Sequence, residues 1–142
     1  MTLADGNVLI YAFRVGAPHH DVCKRWLANL VAGNERFGVS PLALSALVRI
    51  STDARIYDHP SPLSEAFDFC NVLLAQPNCD VIEPGRLHWT IFERLCVQTG
   101  ITGRRMTDAW FAALAVEHGC TWISFDRDFA RFPGLDWREP EA

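Results

Sequence analysis

Four aspartates stand at positions where their carboxylates could meet and hold a cation: Asp5, Asp108, Asp126 and Asp128. Three of them lie in the segment 107–129, which is otherwise apolar enough for a protein interior. Carboxylates that lie close together repel each other and tend to retain a proton unless positive charge lies between them. Oxygen ligands favour a hard cation such as Mg²⁺ or Mn²⁺. These residue types therefore suggest metal-assisted attack of water on a phosphate group.

The surrounding elements predict that the carboxylates converge. The helix that begins at Asp108 and continues to about residue 118 is about 16 Å long at 1.5 Å per residue. The segment 121–126 runs back over about 17–20 Å as a strand. The two displacements nearly cancel, so Asp108 and Asp126 are expected at the same edge of the sheet. Asp5 ends the first predicted strand and belongs to that carboxyl edge, where open parallel sheets bind ligands.

Each of these aspartates also has an ordinary structural explanation. Asp108 fits a first-turn helix charge, Asp126 fits a cap on the final turn, and Asp5 fits a turn residue before Gly6. Taken singly, these explanations are as good as the functional one, but three unrelated caps need not share one sheet edge. Asn7 lies two residues after Asp5 and is predicted to orient a carboxylate through its amide group.

Strand-like and helical segments alternate along the chain. Apolar periodicity, prolines and glycines predict strands at 2–5, 36–40, 79–84, 121–124 and 135–137. The same signals predict helices at 7–13, 17–33, 41–51, 59–77, 85–100 and 107–119, and a helical turn at 126–132. This order predicts a three-layer α/β/α fold with a central, mostly parallel sheet.

Composition limits the classes of protein to which the chain can belong. With 142 residues, 49% hydrophobic and 21% charged, it is expected to fold as one domain over residues 1–142. No apolar run is long enough to span a bilayer. The five cysteines form no C-x-x-C pair and are read as reduced thiols. The opening residues lack the basic lead of a signal peptide, so we expect a cytoplasmic protein without membrane contacts.

A formal net charge of −4 excludes a basic surface over the whole chain. Binding of nucleic acid would therefore depend on local arginines, on a metal or on a partner's charge. The candidates for phosphate contacts are Arg49, Arg104 and Arg105, because an arginine fork matches phosphate oxygens. Structural salt bridges or a solvated surface remain the alternative explanation for all three.

Both ends of the chain resemble the PIN domain family. "LADGNVLIYAF" resembles the family's opening strand and D-x-N pattern, and "RRMTDAWFAALAVEHGCTWISFDRDFARFPGL" resembles its C-terminal signature. The middle of the chain is similar to VapC-type toxins of type II toxin–antitoxin pairs. The resemblance implies a Mg²⁺-dependent endoribonuclease that cleaves structured RNA such as tRNA or rRNA. It also implies a homodimer that is neutralised by a VapB-type antitoxin.

The resemblance assigns roles to the four aspartates. By position, Asp5 and Asp108 match the regular metal ligands, Asp126 matches an additional acid, and Asp128 is a fourth candidate. The chain departs from the family pattern in one respect. Most members carry a glutamate in the helix after the second strand, and this chain has Ser45 and Ala46 where that acid is expected. The departure leaves two hypotheses open: one or two metals in an active nuclease, or a weakly active or inactive PIN-like module that binds RNA or protein.

A phosphotransfer enzyme with Asp5 as nucleophile is a weaker alternative. Such enzymes need a second acid in a D-x-D pattern, and Asn7 occupies that position here. They also need a lysine after the last strand, at a position where this chain has none.

Overall fold

The computed structural model describes residues 1–141. Its strands are β1 (Thr2–Ala4), β2 (Phe37–Val39), β3 (Cys79–Val81), β4 (Thr121–Ile123) and β5 (Trp137–Arg138). Its α-helices are α1 (Gly6–Phe13), α2 (His20–Ala32), α3 (Pro41–Ser51), α4 (Leu63–Leu74), α5 (His88–Thr99) and α6 (Met106–His118). Two short 3₁₀ helices cover Gly103–Arg105 and Arg127–Arg131. The predicted alternation of strands and helices is confirmed, although the strands are shorter than predicted.

The five strands form one sheet in the order β3-β2-β1-β4-β5, and every neighbouring pair is parallel. In the central pair, Ala4 of β1 is in register with Ile123 of β4. The backbone N–H of Asp5 continues this ladder by donating to the carbonyl of Ile123 at 2.8 Å. The chain leaving β1 and the chain leaving β4 therefore lie side by side at the carboxyl edge.

The sheet is buried on both faces, because successive residues of a strand point to opposite sides. Leu3 and Trp122 belong to the core cluster that contains the buried residues of α5 and α6. Their strand neighbours Ala4 and Ile123 belong to the cluster that contains α1, α2 and α4. Helices therefore cover both faces, which gives the three-layer α/β/α arrangement that the sequence predicts.

Helix α6 positions the candidate site because it is held almost entirely inside the protein. Ala109 and residues 111–115 of this helix are buried. Its small alanines allow close packing on the sheet, and it ends at Gly119, whose φ of 65° suits glycine. Asp108 is thus a polar residue at the start of a buried helix. No helix within residues 1–141 combines the length and the apolar character needed to cross a membrane.

Candidate metal and nucleic-acid site

Three of the predicted aspartates lie at the carboxyl edge of the sheet, near enough for the charge of Asp126 to act on the other two. Asp5 follows β1 directly, Asp126 lies in the chain that leaves the adjacent β4, and Asp108 is in the first turn of α6. All three side chains are half-buried. The structure thus brings together residues that are separated by more than one hundred positions in the sequence.

The carboxyl group of Asp5 shows a larger increase in pKa than that of Asp108. Burial is the main cause that raises the pKa of Asp5 from 3.8 to about 6. The negative charges of Asp108 and Asp126 raise the pKa further, whereas hydrogen bonds from Ser124 and from the Gly6 backbone oppose the increase. The carboxylate is therefore destabilised by its surroundings and would gain from a cation nearby.

Asp108 shows the same pattern more weakly. Burial is the first cause that raises its pKa, and the charge of Asp126 adds to the increase. Arg105 and Arg131 act in the opposite direction, and Asp128 contributes a small further increase. The site therefore combines an acidic centre with a partly basic border.

Ser124 is the hydrogen-bonding centre of the site, and sequence reasoning did not identify it. Its Oγ donates to Asp5 Oδ2 at 2.7 Å and accepts from the Asn7 amide at 3.3 Å and from the Asp126 backbone N–H at 3.0 Å. One donor and two acceptor positions complete the capacity of a hydroxyl group. This fully buried serine therefore joins three of the predicted residues.

Asn7 acts differently from the prediction. Its amide does not donate to a carboxylate but to Ser124 Oγ, and Ser124 in turn donates to Asp5. The single hydroxyl proton of Ser124 is donated to Asp5, so Ser124 Oγ can only accept from Asn7. The Asn7 amide nitrogen, and not its oxygen, must therefore point to Ser124. Asn7 Oδ1 is buried and has no hydrogen-bond partner among the described residues. It is thus an acceptor available to a bound water molecule or a metal-bound ligand.

Asp126 and Asp128 have separate surroundings. Asp126 caps the 3₁₀ helix that follows it, because its Oδ1 accepts from the Asp128 backbone N–H at 2.9 Å. Asp128 is exposed, and its Oδ2 lies 3.1 Å from Arg105 and 3.5 Å from Arg131. Asp128 is therefore engaged by two arginines at the border of the site, rather than placed beside Asp5.

The predicted phosphate contacts also occupy different places. Arg105 pairs with Asp128, and the exposed Arg104 makes no ion pair among residues 1–141. Arg49 is exposed and lines a cavity of about 270 Å³ together with Thr107, the residue before Asp108. Arg131 was not predicted, although its position three residues after Asp128 on a helical turn is a usable signal.

The family's missing glutamate would belong beside this cavity. Ser45 and Ala46 both line it. A Cβ atom built on Gly6 would lie 3.7 Å from the Cβ of Ala46, so this part of α3 packs against the start of α1, next to Asp5. At these positions the chain therefore presents no carboxylate to the immediate neighbourhood of the site.

The donor set fits a hard cation in an open site. Within residues 1–141, no three His, Cys, Asp or Glu side chains lie close enough to form a metal site by themselves. The three predicted carboxylates therefore do not surround a single point. Mutual repulsion opposes closure when no cation lies between the carboxylates. Mg²⁺ commonly keeps several waters and uses only one or two carboxylates. In such a site, Asp5, Asp108 and the unpartnered Asn7 oxygen are the oxygen groups that would hold the cation.

Replacing Ser124 with alanine is expected to shift the pH dependence of metal binding upward. The variant loses a hydrogen bond that lowers the pKa of Asp5 and leaves the Asn7 amide and the Asp126 N–H without their acceptor. Because a ligating carboxylate must be ionised, we expect Mn²⁺ affinity at pH 7 to fall by about 10-fold. Calorimetric titrations with Mn²⁺ between pH 5.5 and 8 measure this change.

The exposed Ser64 on α4 supplies the matched control. Ser64→Ala should bind Mn²⁺ with the affinity and pH midpoint of the wild-type chain. An unchanged midpoint in Ser124→Ala, in a protein that remains folded, would show that the serine has no influence on the metal ligands.

Comparison with known proteins agrees with this geometry. The family model of the PIN domain matches residues 2–135. The chain is 39% identical over 135 residues to ribonuclease VapC31 of Mycobacterium tuberculosis, with 95% of each protein covered. It is 35% identical over 142 residues to ribonuclease VapC37 of the same species, covering 100% of this chain and 99% of that protein.

Solved structures share the fold at lower identity. VapBC2 from Rickettsia felis, solved with a DNA fragment from the promoter, superposes with a TM-score of 0.71 at 17% identity and covers 99% of this chain and 98% of that chain. VapC20 of Mycobacterium tuberculosis, described as a toxin that cleaves the sarcin–ricin loop, gives 0.65 at 17% identity, covering 95% and 98%. From the matched residues and the full-length identities, the chain belongs to the PIN domain family, among the VapC ribonucleases.

Proposed function

We propose that the protein is a Mg²⁺-dependent endoribonuclease toxin, in which Mn²⁺ can replace Mg²⁺. The observation that carries the proposal is the placement of Asp5, Asp108 and Asp126 at one edge of the sheet, where the charge of Asp126 raises the pKa of both Asp5 and Asp108 and that of Asp108 raises the pKa of Asp5. Such strained carboxylates gain most when a divalent cation lies between them. The identity to named VapC ribonucleases supports the same reaction.

The proposed roles follow from the contacts of each residue. Asp5 and Asp108 are the principal metal ligands, and Asp126 is an additional acid. When bound, the cation would lower the pKa of a water nucleophile and stabilise charge on the scissile phosphate. Ser124 holds Asp5 in one orientation through its 2.7 Å hydrogen bond, and Asn7 in turn holds Ser124. Asp128 contributes indirectly, because it keeps Arg105 near the acidic centre.

Local arginines are proposed to bind the RNA backbone. Arg49 lines the cavity beside Thr107, and Arg104 and Arg105 precede α6 directly. The positive charge of Arg131 opposes the increase in the pKa of Asp108. Since the chain as a whole carries a charge of −4, RNA binding should rest on these few contacts and weaken with added salt.

Structured RNA, such as tRNA or rRNA, is the proposed substrate class. The description of VapC20 as a sarcin–ricin loop cleaving toxin supports this class, because that loop is part of a folded RNA. Unpaired bases in such loops are accessible to side chains, whereas the deep major groove of an RNA helix is not. The free state of all five cysteines is in keeping with action in the cytoplasm.

A VapB-type antitoxin is the proposed protein partner. The related structures VapBC2 and VapBC-1 are toxin–antitoxin complexes. An apolar groove of about 420 Å³ lies between α3 and α4, and Leu44, Val48, Phe67 and Leu74 are among its lining residues. Phe67 and Leu74 are exposed there, which suits the apolar face of a partner helix.

A homodimer is also proposed. Helix α5 and the residue before it carry three large exposed apolar side chains: Leu87, Trp89 and Val97. Apolar groups of this size on one helix are typical of a surface that a second protein covers. Light scattering of the purified protein measures its oligomeric state directly.

The decisive experiment is a cleavage assay on purified tRNA and rRNA, with Mg²⁺, with Mn²⁺ and with EDTA. The proposal predicts defined fragments that appear with either metal and disappear with the chelator. Intact RNA under all metal conditions, at protein concentrations well above those of the RNA, would favour the alternative, an inactive PIN-like module that binds RNA or protein. That alternative is motivated by Ser45 and Ala46, which replace the family's acid.

Restoring the acid should strengthen the metal site. Ala46→Glu adds a carboxylate to those of Asp5, Asp108 and Asp126, beside the start of α1 and the cavity that Thr107 lines. Because the number of ligand charges tunes the affinity of oxygen sites, we expect Mn²⁺ to bind about 10-fold more tightly. Calorimetric titration at pH 7.5 measures the change.

The same titration of Ala46→Gln separates charge from size. The glutamine variant should bind Mn²⁺ no more tightly than the wild-type chain, since it adds similar bulk without a negative charge. Equal affinities for Ala46→Glu and Ala46→Gln would show that position 46 does not reach the cation.

A further inference from the structure

An aromatic stack borders the site on the side of α1 and α2. The ring of His19 lies parallel to that of Phe125, with centroids 4.4 Å apart and planes inclined by 16°. Phe125 also contacts Tyr11, with centroids 5.7 Å apart, and Tyr11 lies 6.3 Å from His19. The three rings form one cluster, which we call the His19 stack.

The His19 stack adjoins the acidic centre through the main chain. Phe125 stands between Ser124, which holds Asp5, and Asp126. Consecutive Cα atoms are about 3.8 Å apart, so the Phe125 ring emerges within one residue of two groups of the site. A nucleotide whose phosphate lies at the carboxylates would have its base, or that of a neighbour, within reach of this cluster.

The backbone at His19 is unusual and helix capping does not explain it. Among residues 1–141, His19 is the only non-glycine residue with positive φ, at φ 57° and ψ 20°. It occupies the position before α2 where Ser, Asp or Asn would cap the helix, but its side chain makes no capping hydrogen bond. On either side of this backbone, the His19 ring lies against Phe125 and His20 Nδ1 lies 2.7 Å from the Tyr11 carbonyl oxygen.

The stack leaves one aromatic face open. His19 is exposed, whereas Phe125 and Tyr11 are half-buried. Near-parallel contact with Phe125 covers one face of the imidazole ring, and because the residue as a whole is nevertheless exposed, the opposite face is the surface left for a ligand. A ring whose orientation is already fixed by stacking on a second ring loses little conformational entropy when a further planar group stacks on its other face.

We propose that the open face of His19 stacks on one unpaired RNA base next to the scissile phosphate. This inference rests on the proposed ribonuclease function and names the nucleotide contact that positions its substrate. Aromatic side chains bind single-stranded RNA in this way, because every base has a flat π face. A nucleic acid fits better than a peptide, since the neighbouring groups are those proposed to bind a phosphate through a metal.

The test compares three forms of the full-length chain: wild type, His19→Asn and His19→Phe. Asparagine suits both the left-handed backbone and the capping position but has no ring, so folding should be retained. Phenylalanine keeps the ring. The probes are single-stranded RNA dodecamers that carry 2-aminopurine at one position each, mixed rapidly with excess protein in Mg²⁺ so that quenching is read before cleavage.

Wild type should quench 2-aminopurine at one position in the dodecamer, and His19→Asn should lose this quenching and bind about 10-fold more weakly. His19→Phe should restore both. In cleavage assays, His19→Asn should raise KM by a similar factor and leave kcat nearly unchanged, because the stack holds substrate and transition state alike.

The outcomes distinguish this inference from the proposed function. Quenching that depends on the His19 ring, in a protein that cuts no RNA, would support the stack and reject the nuclease. Normal cleavage with identical quenching, Kd and KM in wild type and His19→Asn would reject the stack alone. A His19→Asn variant that loses binding only to a protein partner would also overturn the inference.

Discussion

Replacing Asp108 with asparagine is expected to lower metal-dependent RNA cleavage by at least about 100-fold, since even residues that only support a metal ligand change affinity or activity 10–100-fold. The substitution removes one negative charge at the start of α6 and keeps the size of the side chain. Single-turnover cleavage of tRNA or rRNA in Mg²⁺ or Mn²⁺ measures the loss.

The variant should fold normally, which separates lost chemistry from lost structure. Burial and the charge of Asp126 already disfavour the ionised form of Asp108 and raise its pKa. A neutral amide at this position therefore relieves repulsion, so the melting temperature in EDTA should be equal to or higher than that of the wild type.

Asp68→Asn is the matched control for this experiment. Asp68 is exposed on α4, far along the chain from the carboxyl edge, and makes no ion pair among residues 1–141. Its variant should retain full activity. Wild-type cleavage rates in a folded Asp108→Asn protein would contradict the assignment of Asp108 as a metal ligand and with it the proposed reaction.

Replacing Asp5 with asparagine is expected to stabilise the metal-free protein, and more at pH 8 than at pH 4. Burial is the main reason that the native pKa of Asp5 is about 6, compared with 3.8 without those surroundings. Asparagine keeps an oxygen that can accept the hydrogen bond from Ser124 and never becomes charged. The wild-type chain, in contrast, must hold a half-buried charge above pH 6.

The sign of this effect follows from the proton affinities of the two states. At pH values below about 3.8, Asp5 is protonated in both states, and burial of its charge costs nothing. Between pH 3.8 and 6 the native state binds more protons than the unfolded state, so the free energy of unfolding falls as pH rises. Above pH 6 the free energy of unfolding is lower by the full amount, which is on the order of 2 kcal/mol once solvent screening is considered.

Thermal unfolding in EDTA at pH 4, 6 and 8 measures this prediction. The difference in melting temperature between Asp5→Asn and wild type should be largest at pH 8, about 4–8 °C for a chain of this size. Addition of Mn²⁺ at pH 8 should stabilise the wild type and have little effect on the variant. A difference that is constant from pH 4 to pH 8 would show that Asp5 carries no buried charge.

Both experiments replace an acidic residue whose charge is expected to lower stability and to support function. Under the proposed function, the chain holds acidic groups that weaken the metal-free protein because a bound divalent cation would make the same groups favourable. The open arrangement at the edge of the sheet, with two half-buried carboxylates and an unpartnered Asn7 oxygen, is consistent with that exchange.

Much of the fold follows from local sequence signals. Helix α3 begins at Pro41 and ends at Ser51, as predicted, because Ser40 caps it and proline suits its first turn. The edge at which Asp5, Asp108 and Asp126 meet also follows from the order of strands and helices. Strand ends were less predictable, since pairing at each edge decides where a ladder stops, and the segment 79–84 is a strand only over Cys79–Val81.

The sequence by itself determined the α/β alternation, the family resemblance and the acidic residues of the site, because these depend on residue order and short-range periodicity. Only the tertiary structure decided that Ser124 joins Asn7 to Asp5, that Asp128 pairs with arginines, and that His19 stacks on Phe125. The physical reason is distance along the chain: Ser124 and Asp5 are 119 residues apart and meet only because β1 and β4 pair in register. Side-chain contacts of this kind depend on packing between elements, which no local pattern specifies.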